Sequence, residues 1–284
     1  MDMLERVAMR LFGRVVAPYL DSFESLKDQM RKARMGYSLH EYLALVLFSG
    51  FAGFAGSVIF LTVFIVLFIP ALLYSYTLAI LISLGIGGMV LFFGYSYPSF
   101  KAKGLANRID RSLPFAVFYM ATTASSGTQP VNLFKMLTLR GGPIGEEASR
   151  IYTTVQALGL DLHTALSRAA ARSPSPTFAE LLWGMTSILV TGGNLEEYLK
   201  NKTKTAMTQY RRALDDYAKQ IALYTEIYIT LIIVGSVFFI ILIAIISPLI
   251  GGNTLFLQAF LVFFFIPLVS LGFIMLLKGS SPTD

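Results

Sequence analysis

Residues 190–204 read VTGGNLEEYLKNKTK, two glycines followed by a polar run with three lysines. A glycine-rich loop ahead of a helix can hold phosphate through backbone N–H groups and the helix dipole. Here no Lys-Ser/Thr pair follows a glycine directly, and the spacing fits neither G-x-x-x-x-G-K-[ST] nor G-x-G-x-x-G. The stretch reads better as the end of one helix and the start of the next. Gly192-Gly193 stops a helix, with Gly193 expected at positive φ, Asn194 is an N-cap, and Glu197 stands at the third helical position as in a capping box. The same grammar recurs at Gly127-Thr128 and at Gly159-Leu160-Asp161, where Asp161 is expected to cap. Three repeats of helix, glycine, cap, helix predict an antiparallel helical bundle, and the loop is architecture.

Working outward, apolar positions at helical spacing define the bundle. Ile109, Leu113, Ala116, Val117, Met120 and Ala124 form the first stripe. Because Pro114 belongs in a first turn, that helix is expected to begin near Ser112. A short helix carries Val131, Leu133, Phe134 and Leu137. Ala148, Ile151, Tyr152, Val155 and Leu158 form the next stripe, then Leu162, Ala165, Leu166 and Ala169, and after the stop at 173–176 come Phe178, Leu181, Leu182, Met185, Ile188 and Leu189. From Leu195 a face of Tyr198, Ala206, Tyr210, Leu214, Tyr217, Ile221 and Tyr224 continues without a breaker. A rod of 195–226 is about 48 Å long at 1.5 Å per residue, either a rigid mechanical link or a passive stalk.

On both sides of this segment the charge disappears. The chain has 284 residues, 55% hydrophobic and 14% charged, against roughly 25% charged in a soluble domain. Residues 42–100 and 227–277 contain no Asp, Glu, Lys or Arg. A spanning helix takes about 20 apolar residues, so each stretch accommodates two. The first divides near Pro70 in LFIPALLYSYT and the second at SPLIGGNT, a Pro-Gly-Gly-Asn turn. The expected fold class is all-α: a polytopic membrane protein with four transmembrane helices, about 43–68, 74–95, 227–248 and 255–277, and an inserted cytoplasmic bundle. The expected organisation is a cytoplasmic amphipathic arm at 1–41, spans one and two in 42–97, a helical domain at 98–226, spans three and four in 227–278, and a short tail at 279–284. The first thirty residues carry charge throughout, so no cleavable signal peptide is expected. The arm's stripe of Leu4, Val7, Ala8, Leu11 and Val15 fits either a helix on the membrane surface or one packed on the cytoplasmic domain.

Lys and Arg fill the arm and the middle segment, and Lys278 follows the last span, whereas the loops between paired spans hold none. The positive-inside rule then puts both termini and the middle segment in the cytoplasm of a multi-pass cell-membrane protein. The net charge of +6 suits anionic lipid on that face. Acidic residues interleave with the basic ones, which disfavours nucleic acid as a partner.

No enzyme chemistry is legible, and catalytic, cofactor-binding and metal residues are expected to be none. There is no cysteine, and the two histidines, His40 and His163, lie apart without a carboxylate pattern. The adjacent pairs Glu146-Glu147 and Asp215-Asp216 point to different helix faces and read as solvated surface. Ser125-Ser126-Gly127 lacks a strand-turn-helix setting. The spans hold no ionisable residue; Gln258 is their strongest polar side chain, and Asn253 sits in a loop. A transporter would need more. Gly50, Gly53 and Gly56 in GFAGFAGS, with Gly85, Gly87 and Gly88, point to close helix packing within one subunit.

NRIDRSLPFAVFYMATTASSG at 107–127 and ALGLDLHTALSRAAARSPSPTFAELLWGMTSILVTGGNLEEYLKNK at 157–202 resemble the type II secretion system F domain. The matching features are Asp110 with Leu113-Pro114, Gly127, Gly159 before LHTAL, the Pro174–Pro176 stop, and Gly192, Gly193, Asn194 and Leu195. The stretch KARMGYSLHEYLA at 32–44 also looks like the approach to the first span in archaeal members. The resemblance implies a non-enzymatic membrane platform of type IV pilus, archaellum, tight-adherence or type II secretion machines. Its expected partners are a hexameric secretion ATPase, pilin-like subunits, the lipid bilayer, and a homodimer mate or sister half-length platform protein. A transporter or channel subunit and a membrane-anchored adaptor with no filament role are the alternatives. Neighbouring genes for a secretion ATPase and prepilins would decide among them.

Two basic loci are candidates for docking the ATPase. Lys101, Lys103, Arg108 and Arg111 lie beside the second span, where lipid accounts for them. Of Lys200, Lys202, Lys204, Arg211 and Arg212, the three lysines begin about 22 residues from span three, roughly 33 Å out along a straight helix. That distance exceeds a Debye length of about 8 Å, so the second locus is the candidate ATPase-docking site.

Overall fold

The computed structural model describes residues 3–68, 73–250, 256 and 259–279. Pro70, Gly252, Asn253 and Gln258 lie outside the described residues. Every regular element among the described residues is helical. They run α1 (Met3–Val16), a 3₁₀ segment (Ala17–Phe23), α2 (Glu24–Lys32), α3 (Leu39–Phe68), α4 (Leu73–Ala124), α5 (Pro130–Thr138), α6 (Gly142–Leu158), α7 (Leu162–Arg172), α8 (Pro176–Thr191) and α9 (Leu195–Tyr228). A π-helical segment (Ile229–Val234), α10 (Gly235–Ile250), a second π segment (Leu261–Phe265) and α11 (Ile266–Gly279) follow. They form two compact units, Met1–Leu113 with Thr123–Tyr198, and Pro114–Thr122 with Leu199–Asp284.

Within the first unit, α3 and the apolar part of α4 pack closely through glycines. A Cβ on Gly87 would stand 2.9 Å from Phe54 Cβ, one on Gly94 2.9 Å from Val46 Cγ1, and one on Gly50 would overlap Leu91. The expected glycine packing is thus present at Gly50, Gly53 and Gly87, and Gly94 adds a contact that was not expected, whereas Gly56, Gly85 and Gly88 face open space. At the foot of this pair, Val16, Leu26, Met30, Tyr42, Leu43 and Val46 make a buried cluster that fastens the arm. Phe12 of α1 meets Phe48 and Phe51 of α3, and a His40 ring nitrogen lies 2.8 Å from the Gly13 carbonyl. Helix α1 therefore packs against α3. It shows a second apolar stripe, Val7, Leu11 and Val15, that stays exposed.

The same unit holds the α5–α8 layer. Helix α5 packs on α6, α6 on α7 and α7 on α8. The faces read from spacing are buried at Leu133, Phe134 and Leu137, at Ala148 and Ile151, at Ala165 and Leu166, and at Phe178, Leu181, Leu182 and Met185, whereas Leu158, read as part of the α6 stripe, is exposed. Full burial stabilises by roughly 1.5–3 kcal/mol for each large apolar side chain, enough to hold helices too short to persist alone.

One expectation fails at Pro114. No new helix begins near Ser112; α4 runs 52 residues unbroken, through Pro98 and Pro114. An internal proline removes the bond to the carbonyl four residues back. At Pro98 that carbonyl belongs to Gly94, and Tyr42 Oη donates to it at 2.6 Å. Near Pro114, Ser112 Oγ donates to the carbonyls of Arg108 and Ile109. Local rules stop a helix at proline, and here a tertiary donor supplies what the 98 position lacks.

In the second unit α9 leads through the Ile229–Val234 π segment directly into α10. Tyr228 Oη lies 3.0 Å from Ser270 Oγ, with its ring against Phe273. A cavity of about 330 Å³ lies between Ile232, Phe239, Phe265 and Val269, flanked by both π segments.

Among the described residues, three helices are long and apolar enough to cross a membrane: those containing Leu39–Phe64, Ala79–Ala124 and Leu195–Ile246. Val262–Met275 is apolar but shorter, and the fourth expected span falls partly outside the described residues. Phe60, Leu81 and Phe263 are 69%, 68% and 82% exposed. Exposed apolar side chains on such long helices suit lipid.

Candidate interaction site

Helix α2 ends in a 6→1 hydrogen bond from Met35 N–H to the Met30 carbonyl, with Arg34 at the left-handed position, φ 56°. Glycine ordinarily fills that position; a side chain there costs roughly 1–2 kcal/mol. The side chain explains the choice. Arg34 forms an ion pair through Nη2 with the Glu147 carboxylate of α6. Glu147 is only 4% exposed, which corrects its reading as solvated surface: its partner lies 113 positions away in sequence. Burial pushes the Glu147 carboxyl above its ordinary value against the pull of Arg34, and burial also lowers the Arg34 guanidinium. The desolvation of both partners exceeds their attraction, as is common for buried pairs.

Arg34 and Glu147 line a cleft of about 480 Å³ together with Arg150 of α6 and Arg168 and Arg172 of α7. Arg168 and Arg172 share a face at i, i+4. The cleft assembles from three separated segments, so linear reading misses it; the one local signal is SRAAAR at 167–172.

Lys200, Lys202, Lys204, Arg211 and Arg212 all lie on α9. At about 100° per residue, Lys200, Lys204 and Arg211 fall on one face, Arg212 to its side and Lys202 on the opposite side. The five do not form a single patch.

The motif residues build turns. Asp110 accepts a hydrogen bond from Ser175 Oγ, which itself accepts from Phe178 N–H at 2.9 Å and so caps α8. Gly127 and Gly159 have φ 72° and 63°. At the 192–193 junction the positive φ, 72°, belongs to Gly192 and not to Gly193. Gly193 instead donates its N–H to the Ile188 carbonyl, the 6→1 bond that closes such a turn. Asn194 Oδ1 accepts from Glu197 N–H at 3.1 Å, ahead of Leu195, the first residue of α9. Leu113 is buried. Asp161 holds the N-cap position of α7 but makes no side-chain cap; its carboxylate turns to His163 Nδ1, giving that histidine a carboxylate neighbour that the spacing did not suggest.

Residues 116–243 match the family model of type II secretion system protein F. The chain carries a type II secretion system F domain. The F domain match takes in Gly127, Gly159, Gly192, Gly193, Asn194 and Leu195, while Asp110, Leu113 and Pro114 precede it. Two relatives come from Methanocaldococcus jannaschii. Flagella accessory protein J is 23% identical over 255 residues, 88% of this chain and 43% of its own length. An uncharacterized protein is 22% identical over 205 residues, 69% of this chain and 34% of its own. The chain thus spans about a third to two fifths of the length of these two relatives. No solved structure matches it.

Proposed function

We propose that this chain is a membrane platform of a pilus-like, archaellum-like or type II secretion-like machine, coupling a cytoplasmic secretion ATPase to assembly of pilin-like subunits. The observation that carries the reading is the F domain on a helical path from Leu195 through α10 into apolar sequence. In this reading four spans cross the cell membrane, the termini and 98–226 face the cytoplasm, and the protein performs no catalysis. A second F domain, in another copy or a sister protein, is its expected mate.

The motor docks on the α9 face formed by Lys200, Lys204 and Arg211, with Arg212 beside it. Rim charges act mainly on association rate and salt dependence. The triple variant Lys200→Glu, Lys204→Glu, Arg211→Glu is expected to lose pull-down of the cognate ATPase while still inserting into membrane. Lys202→Glu, on the opposite side, is expected to have the smaller effect. Equal capture of the ATPase by wild type and triple variant across a salt series would refute the docking assignment.

A further inference from the structure

The cleft between α6 and α7 brings four guanidinium groups, Arg34, Arg150, Arg168 and Arg172, around a single carboxylate, Glu147. Arg34 already engages that carboxylate. No salt bridge among the described residues engages Arg150, Arg168 or Arg172. The charge of Arg150 is felt across the site, since it opposes protonation of Arg34. Arginines spread over a convex surface need no explanation; these line a concavity of about 480 Å³, within the size range of small-ligand sites. One wall is apolar, with Leu158 68% exposed, and Ser149 and Thr153 place hydroxyls on the same lining.

We propose that this cleft binds a phosphate-bearing anion. Guanidinium forks from Arg150, Arg168 and Arg172 hold the phosphate oxygens in paired N–H···O bonds, the geometry for which arginine is better suited than lysine. Leu158 covers the ligand's apolar part. Two sources present the same chemistry: a free phosphate compound, or a lipid headgroup, since Arg34 lies only a few residues before Leu39, where the first membrane helix starts. The site is independent of the motor-docking assignment, because it uses none of the α9 residues on which that assignment depends.

The test is calorimetric titration of the full chain, purified in uncharged detergent, at constant ionic strength set with sodium chloride. Inorganic pyrophosphate probes the free-phosphate source and dioctanoyl phosphatidylglycerol the headgroup source. Saturable binding of either is expected, weakened roughly tenfold for each arginine lost in Arg150→Gln and in Arg168→Gln, Arg172→Gln. These side chains are exposed, so the variants retain the fold. Binding of pyrophosphate assigns a soluble ligand; binding of the lipid alone assigns a headgroup. No binding of either probe, or equal binding by wild type and variants, overturns the site. Displacement of pyrophosphate by oligoglutamate at lower concentration than by phosphate itself also overturns it, in favour of an acidic protein segment.

Discussion

Tyr42 donates its phenolic hydrogen bond to the carbonyl of Gly94, the oxygen that Pro98 deprives of a helical donor four residues on. One side chain of α3 thereby lets α4 continue through a proline. The bond also ties the two helices at the level where Gly94 admits Val46.

Tyr42→Phe leaves the Gly94 carbonyl without its donor and is expected to destabilise by about 1–3 kcal/mol. Pro98→Ala supplies an N–H to the same oxygen. In that background Tyr42→Phe should cost much less, a coupling of about 1 kcal/mol or more. Thermal unfolding of the four proteins in detergent measures it, and additive effects would contradict the account.

Gly184 gives Tyr198 its place: a Cβ there would collide with the phenol, which donates to the Leu181 carbonyl at 3.2 Å. Gly184→Ala should cost roughly 1–3 kcal/mol through overpacking. Tyr198→Phe removes the colliding oxygen, so the double variant should lose less than the two single losses combined. Unfolding midpoints of the three variants decide this.

Glu147 has a carboxyl raised by burial, so the folded state binds its proton more tightly than the unfolded chain does. The contribution of this group therefore falls as pH rises from the ordinary carboxylate value through the raised folded one, and recovers on acidification. Glu147→Gln mimics the protonated form. It should be at least as stable as wild type near neutrality, and the two should converge as pH falls below the ordinary carboxylate value. Unfolding temperatures across that range measure the difference; a gap that widens on acidification would reverse the sign.

The four-span topology is checked with reporter fusions. Fusions near Tyr74 and at Gly252 should report outside, and one at Gly145 inside. A cytoplasmic signal at Gly252 would remove the fourth crossing.

What was legible in the sequence was whatever a single helix decides by itself. The buried faces of α5 to α8 follow from spacing, and the glycines at 127, 159 and 192 from the need to reverse direction between short helices. What was missed depends on distant partners. Pro114 and Pro98 break helices by local rule, and the donor that relieves Pro98 comes from the preceding helix. Glu147 is one of two adjacent acids in sequence, and only Arg34, from the arm, shows which of them is interior. The arginine cleft draws on α6, α7 and the turn after α2, so no window of sequence contains it. On α9 the basic residues are adjacent in sequence but divided by the helical twist.

At position 34 the backbone favours glycine, while the buried acid opposite requires a cation. Arginine meets the second demand at the cost of the first, so the residue at 147 decides which residue 34 favours. Glycine at 34 would strand the acid, and a neutral residue at 147 would leave the arginine's strained backbone without its reason. In homologous chains the two positions should therefore change together, with glycine at the first accompanying loss of the acid at the second. Such a pair leaves a historical trace, and its presence or absence would date the fastening of the arm to the bundle.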